Sequence, residues 1–340
     1  MAKPTKKAAA LAAELQNSSL LQNIDEKATP EMPSPEFELQ YNPIVAGHIK
    51  EAKDNEFIGD LDLSRVPLTI AIKDVDSLTP EQFTMSRRDG FGASDSSIIM
   101  GVNPYTTLEQ LIQQKTSGVL SADEKAISLK VAVRKGNDLE PLIMEKTSKI
   151  FGEPVVKPKD TYAFTNYPWI RINFDGVIDN DHQYIPVELK VATRWGQKHY
   201  NPSKAIYSEM EGWKPMPIDV SDQNMSLETK AANYGIPPYY YTQVQVEIMA
   251  CNAPYGYLAV IFDNDWIVHM FMVYADRTMQ SDFIVNSFKA WQKVEALRCQ
   301  LNGTGSDSTW MEPLQSSQPT KDQDTSDPQS PQELKSPNDY

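Results

Sequence analysis

Residues Asn173 to Thr193 read N-F-D-G-V-I-D-N-D-H-Q-Y-I-P-V-E-L-K-V-A-T, and this stretch decides the fold. Ile185, Val187, Leu189 and Val191 alternate along one strand, while Ile170, Ile172, Phe174, Val177 and Ile178 supply the apolar residues of a strand before it. A polar turn at Asp179 to Gln183 makes the pair antiparallel. Side chains repeat every two residues along a strand, so Glu188 and Lys190 share the face opposite the apolar set. Asp175 lies upstream, on a strand able to pair with theirs. Two carboxylates and a lysine thereby converge on one patch of sheet. Hard oxygen ligands suit Mg²⁺, and an ammonium beside them orients a water or stabilises developing charge.

Each piece alone has a plainer explanation. Asp-Gly between apolar residues is a common turn signal. Glu-x-Lys on an outer strand is usually a solvated face. The spacing D-x(12)-E-x-K says more, because it reads as the D…(D/E)-x-K site of a large group of metal-dependent nucleases. The neighbouring segments have to decide between these readings.

Composition sets bounds. The chain has 340 residues, room for one or two domains, and a net charge of −14. The acidity is uneven: residues 1–84 carry a net of −6, residues 85–300 a net of −3 and residues 301–340 a net of −5. A near-neutral middle is compatible with a DNA groove, whereas non-specific coating of nucleic acid would show as a basic stripe. Two cysteines, Cys251 and Cys299, exclude a Cys-rich zinc site or a four-Cys cluster and read as core thiols. No apolar run is long enough to span a membrane, and the lysine-bearing N-terminus lacks the apolar core of a secretory signal. A reducing cytoplasm is the expected location.

Along the chain, Lys3 to Leu21 reads as a short helix and Thr29 to Glu36 as a Pro-punctuated acidic linker. The N-terminal extension, residues 1–84, is expected to be partly disordered, with one strand at Leu68 to Ile72 and a capped helical turn where Thr79 precedes Pro80. The middle, 85–300, opens on R-R-D-G-F-G-A-S-D-S-S-I-I-M-G-V-N-P-Y, Arg87 to Tyr105. Ser94 and Asp95 cap a short helix there that ends at Gly101. This is either a plain cap or, with a hydroxyl and a nearby arginine at a helix start, a phosphate grip.

A helix is expected from about Thr107 to Thr116, and a second contains Leu139, Leu142, Ile143, Ile150 and Phe151 as its buried stripe. Asn137 and Glu140 have capping-box spacing, which puts Glu140 in the first turn of that helix. It is either a capping glutamate or a third carboxylate reaching over the sheet to Asp175 and Glu188. Arg194 to Ile236, with Trp195 and Trp213, looks like an insertion with a helix near its end. Pro237 to Cys251 reads as a helix with Tyr240, Val244 and Ile248 on one side and Gln243 one turn from Tyr240. Strands Tyr255 to Phe262 and Trp266 to Tyr274 join through a turn at Asp263 to Asp265, and an amphipathic helix runs from Asp276 to Cys299. The tail, 301–340, is an acidic Ser/Thr/Asp/Gln/Pro sequence expected to be disordered.

Five segments in this order, G-A-S-D-S-S-I-I-M-G-V-N-P-Y, G-N-D-L-E-P, F-D-G-V, V-E-L-K and Y-T-Q-V-Q, resemble the phage lambda exonuclease and YqaJ-like viral recombinase family over roughly Arg87 to Val273. The insertion after Lys190 is the main departure. The resemblance implies an α/β restriction-endonuclease-like core, a central mixed sheet flanked by helices. It implies that Asp175, Glu188 and the Leu189 carbonyl hold Mg²⁺, with Mn²⁺ as a substitute and two ions in all. Glu140 would reach the second metal or its waters, Lys190 would position the attacking water, and Gln243 would support the lysine and the scissile phosphate. Arg87 and Ser94 would grip the 5′ phosphate of DNA. The activity implied is 5′→3′ exonucleolytic cleavage of linear double-stranded DNA, leaving 3′ overhangs for phage-type recombination in a bacterial host cytoplasm. The partners implied are a ring-shaped homotrimer and a single-strand annealing recombinase. An endonuclease or RecB-like nuclease of other polarity, and a non-catalytic DNA-binding scaffold, are the competing readings.

Overall fold

The computed structural model describes residues 41–302, apart from 42, 74, 122, 123, 125–130, 181, 182, 195, 264 and 265. The expectations for the Lys3 to Leu21 helix, the Thr29 to Glu36 linker and nearly all of the acidic tail lie outside the described residues. So do Trp195 and parts of the turns at Asp179 to Gln183 and Asp263 to Asp265.

In chain order the helices are α1 (Pro43–Asp54), α2 (Pro80–Ser86), α3 (Ser96–Ile99), α4 (Leu108–Thr116), α5 (Val131–Phe151), α6 (Leu227–Tyr234), α7 (Pro238–Cys251) and α8 (Arg277–Asn302). The strands are β1 (Ile58–Gly59), β2 (Leu68–Ile72), β3 (Phe91–Gly92), β4 (Lys157–Pro158), β5 (Thr161–Phe164), β6 (Ile170–Ile172), β7 (Gly176–Asp179), β8 (Tyr184–Ala192), β9 (Tyr207–Ser208), β10 (Gly212–Trp213), β11 (Tyr255–Phe262) and β12 (Val268–Tyr274). The larger sheet has the order β10-β9-β12-β11-β8-β7 and is mixed, because β11 lies parallel to β8 while its other pairings are antiparallel. A four-stranded sheet, β2-β5-β6-β3, and a parallel pair, β1 and β4, complete the strands.

Helices cover both faces of β8 and β11. Leu139 and Leu142 of α5 pack with Val191, and Phe151 of α5 lies 4.9 Å from the Tyr257 ring, so α5 covers the Val187–Val191 face. The opposite face, with Pro186, Glu188 and Lys190, lies under α7. There Gly256 allows the close approach of the helix, since a Cβ at that position would stand 2.8 Å from Ile248 Cγ1. The fold is therefore the mixed sheet between helices that the resemblance implies. Its core is apolar: Val187, Leu258, Ala259, Val260, Phe271 and Val244 are fully buried.

Several elements follow directly from local chemistry. Thr79 caps α2 with a reciprocal capping box to Gln82, and Thr107 does the same for α4 with Gln110. The β7–β8 hairpin has the expected register, Val177 opposite Pro186 and Ile178 opposite Ile185. Other expectations need correction. Ile170–Ile172 and Gly176–Asp179 are not one strand: β6 pairs with β5 and β3 in the smaller sheet, while β7 enters the larger one. Asn173 to Asp175 is the crossing between them. The helix holding Glu140 begins at Val131, so Asn137 is not its cap and Glu140 lies well past the first turn. Capping-box spacing also occurs inside helices, where i and i+3 share a face. Cys251 is buried as expected, but Cys299 is only partly so.

The extension and the insertion both join the framework. β2 pairs with β5, and α1 packs Ile49 and Ala52 against Leu139 and Leu142 of α5. Within Arg194 to Ile236, β9 and β10 add two short strands to the β12 edge, and α6 ends at Gly235 with φ 77°. A Cβ at Gly235 would also stand 2.6 Å from Lys204 Cβ, so the left-handed turn and the close packing both require glycine there.

Candidate active site

The site grows from the β7–β8 register. Gly176 pairs with Val187, and continuing the ladder one step sets Asp175 opposite Glu188 at the mouth of the sheet. Asp175 Oδ2 accepts the Leu189 backbone N–H at 3.0 Å, which holds the carboxylate against β8 just where β7 ends. Lys190, two residues along the same face, folds back over this corner. Its ammonium lies 3.3 Å from Asp175 Oδ2, donates to the Leu189 carbonyl at 3.1 Å and forms a close ion pair with Glu188 Oε1. Thus one cation contacts two carboxylates and one main-chain oxygen.

The Glu188–Lys190 face is not solvated. Glu188 is fully buried, because α7 lies across it. Gln243 donates from Nε2 to Glu188 Oε1, and the Tyr240 ring lies 5.6 Å from Lys190 Nζ. Tyr240, Gln243 and Glu247 fall at helical spacing on the side of α7 that meets the sheet. Glu247 was not anticipated. It is 1% exposed, accepts from Gln243 Nε2 at 3.5 Å and is an electrostatic neighbour of Glu188. Its only sequence signal is its place one turn after Gln243, which core patterning hides because buried glutamates are rare.

Burial raises the Glu188 carboxyl to about 7, and the Asp175 charge adds to this while Lys190 opposes it. Glu247 stands well above the usual carboxylate range, again through burial first and then the Glu188 charge. Burial pulls Lys190 down, yet Asp175 and Glu188 outweigh it and hold the ammonium firmly protonated. Glu140 projects from α5 towards the same corner and pairs with Lys157 at 3.1 Å. Burial raises its carboxyl, and the Asp175 charge raises it further. It is an electrostatic neighbour of Asp175 but is held on Lys157. Among the described residues, no three acidic, histidine or cysteine side chains form a metal-holding group.

The donor set nevertheless fits a hard divalent ion. Asp175, Glu188 and the Leu189 carbonyl present their oxygens to one point, which the Lys190 ammonium fills. Glu188 Oε2 is a buried oxygen with no hydrogen-bond partner. Such an oxygen is stabilised by a cation far more than by apolar surroundings.

The second part of the site is the turn before α3. Arg87 Nη2 donates to Ser94 Oγ at 2.7 Å, so the pair chosen from sequence does meet. A hollow beside it is lined by Ser86, Arg87, Gly92, Thr161, Arg171 and Asn173. A Cβ at Gly92 would stand 3.6 Å from Arg87 Nη2 and 3.7 Å from Ser94 Oγ, filling the space between them. Asp95 does not cap α3 with its side chain. It accepts the Gly92 N–H at 2.9 Å and pairs with Lys115 at 2.7 Å, while Lys115 donates to the Arg87 carbonyl at 2.8 Å. This buried pair ties both ends of the turn, a role the sequence left unassigned. Asn173 also joins the two parts, two residues before Asp175.

Two carboxylates and a lysine at D-x(12)-E-x-K spacing, on a mixed sheet and backed by a helix glutamine, define the class: a nuclease. The chain belongs to the YqaJ-like viral recombinase domain family, whose model matches residues 82–253, just over half of its length. No curated protein sequence matches it. Among solved structures it is similar to an alkaline exonuclease from Laribacter hongkongensis, with 14% identity, a TM-score of 0.40, and coverage of 65% of this chain and 98% of that one. The complex of that exonuclease with dAMP gives 14% identity, a TM-score of 0.42, and coverage of 66% and 100%. A phage-related exonuclease from Haemophilus somnus 129PT gives 11%, 0.37, and coverage of 62% and 96%. Among the described residues no helix is long and apolar enough to cross a membrane.

Proposed function

We propose that this protein is a metal-dependent exonuclease that degrades linear double-stranded DNA 5′→3′ and leaves 3′ single-stranded overhangs for recombination. The observation that carries the reading is the convergence of Asp175, Glu188 and the Leu189 carbonyl on one cation position. Asp175, Glu188 and the Leu189 carbonyl would hold Mg²⁺, with Mn²⁺ as a substitute, and Glu140 would serve a second ion or its waters. When bound, the metal polarises the phosphoryl oxygen and stabilises the leaving oxygen.

The chain's own groups supply the rest. Lys190, displaced from the oxygens it now contacts, remains an ammonium beside the scissile phosphate. There it orients the attacking water and compensates the charge that builds on the phosphoryl oxygens. Gln243 fixes the Glu188 carboxylate by its hydrogen bond to Oε1. Arg87 and Ser94 offer a guanidinium and a hydroxyl around an open glycine, chemistry suited to a terminal phosphate. A terminal-phosphate grip favours an end-reading enzyme over an endonuclease. On the family resemblance, the reading extends to a ring-shaped trimer that encloses DNA, a single-strand annealing partner and the cytoplasm of a bacterial host.

The test is cleavage of linear duplex DNA with a 5′ phosphate on one strand, labelled at each end in turn, with and without Mg²⁺. The expected result is Mg²⁺-dependent release of mononucleotides from the phosphorylated 5′ end. Internal cuts would keep the metal site and replace the exonuclease by an endonuclease. DNA binding without cleavage would leave only the scaffold.

A further inference from the structure

Tyr105 stands three-quarters exposed at the end of the segment that carries the phosphate hollow. It is held there by a defined frame. Asn103 Oδ1 accepts the backbone N–H of Tyr105 at 2.8 Å and of Thr106 at 3.0 Å. Asn103 Nδ2 in turn donates to Ser97 Oγ at 2.8 Å, and the Asn103 N–H donates to the Ser97 carbonyl, which ties the loop to α3. The Tyr105 ring meets Tyr239 edge-on at 6.1 Å, Tyr239 meets Tyr240 at 4.6 Å, and Tyr240 lies 5.6 Å from Lys190 Nζ. An unbroken row of rings therefore runs from solvent to the ammonium of the site. Tyr200 stacks on Tyr240 at 6.3 Å.

We propose that Tyr105, backed by Tyr239 and Tyr240, is a stacking platform for an unpaired base of the DNA end engaged at the site. The proposal rests on the nuclease reading above. The corner is narrow, with Glu188 fully buried and the Asp175 and Lys190 side chains only about a quarter exposed, so a single strand reaches it more readily than a paired one, and unpaired bases need a surface to replace their lost neighbours. Aromatic faces provide that surface without reading sequence, since every base has a π-face. Sequence tolerance is what an enzyme that degrades a strand continuously requires.

The experiment uses the full chain, Mg²⁺ and 5′-phosphorylated linear duplexes that carry either a normal or an abasic nucleotide at the first or the second position. Wild type is compared with Tyr105→Ala and Tyr105→Phe. The ring is exposed, so its removal opens no cavity, and Tyr105→Phe retains the face. The wild type should lose about tenfold or more in kcat/KM when the base at one of the two positions is absent. Tyr105→Ala should lose a similar factor on intact DNA and no longer distinguish the abasic substrate, while Tyr105→Phe should behave as wild type. Wild-type rates in Tyr105→Ala, or slower cleavage that still distinguishes the abasic end, would overturn the platform. A wild type that cleaves but ignores the missing base overturns the platform alone, whereas a wild type that cleaves no duplex overturns the nuclease reading with it.

Discussion

Glu247 lies buried against Glu188, one helical turn beyond the glutamine that binds the same carboxylate. Burial disfavours the charged form of a carboxyl, and a neighbouring negative charge disfavours it further. Burial first and then the Asp175 charge raise the Glu188 carboxyl from its ordinary 4.5 to about 7, and burial with the Glu188 charge holds Glu247 well above the usual carboxylate range. A carboxyl raised on folding stabilises the protein below its unfolded pKa and loses that contribution as pH rises through the folded one. The metal-free protein should therefore lose thermal stability from about pH 4.5 to beyond pH 7. A divalent ion needs the ionised form, so the gain in Tm on adding Mg²⁺ should be larger at pH 8 than at pH 6. Glu247→Gln removes one of the two raised carboxyls, and it should flatten both trends. Thermal unfolding across this pH range in EDTA and in Mg²⁺ checks this, and an unchanged slope in the variant would show that Glu247 contributes nothing to it.

Asp175→Ala and Lys190→Ala should each lower cleavage at least about a hundredfold with the fold intact, since both act on the charge of the reacting phosphate. They should differ in metal affinity. Asp175→Ala removes a ligand, whereas Lys190→Ala removes the ammonium that competes for the same oxygens. Calorimetric titration with Mg²⁺ should show weaker binding in the first and binding no weaker than wild type in the second. Full activity in either folded variant would sink the site assignment.

Arg87→Ala and Ser94→Ala should erase the preference for a 5′ phosphate over a 5′ hydroxyl end. The expected loss is about tenfold or more on phosphorylated DNA, the scale of a charge-assisted hydrogen bond of about 1.5–3 kcal/mol. Rates on hydroxyl-ended DNA should change little. Equal losses on both ends would mean that the pair supports the turn rather than reads the phosphate.

Asp95 and Lys115 form a buried ion pair that anchors Gly92 and the Arg87 carbonyl. Lys115→Met leaves Asp95 as an unpaired buried charge and should cost on the order of 3 kcal/mol, measured by urea unfolding. Adding Asp95→Asn should recover part of that loss while the phosphate preference remains weakened. A single variant as stable as wild type would show that the pair holds nothing.

The chain's local chemistry was enough to identify the hairpin of β7 and β8, the common face of Glu188 and Lys190, the capped start of α2, and helix α7 with Gln243. Each depends on periodicity or on groups a few residues apart, which sequence displays directly. The pairing of Arg87 with Ser94 came from the family resemblance, and the two side chains do meet. Tertiary structure alone decided the rest. It divided Ile170–Ile172 from Gly176–Asp179 between two sheets, because an apolar strand pattern does not name its partner. It extended α5 upstream of Asn137, since interior and capping positions share the same spacing. Above all it turned the Glu188 face from a solvated surface into a buried one. A two-residue alternation states that two side chains share a face. Only the packing of α7, some fifty residues further along the chain, determines whether water or Glu247 lies over it.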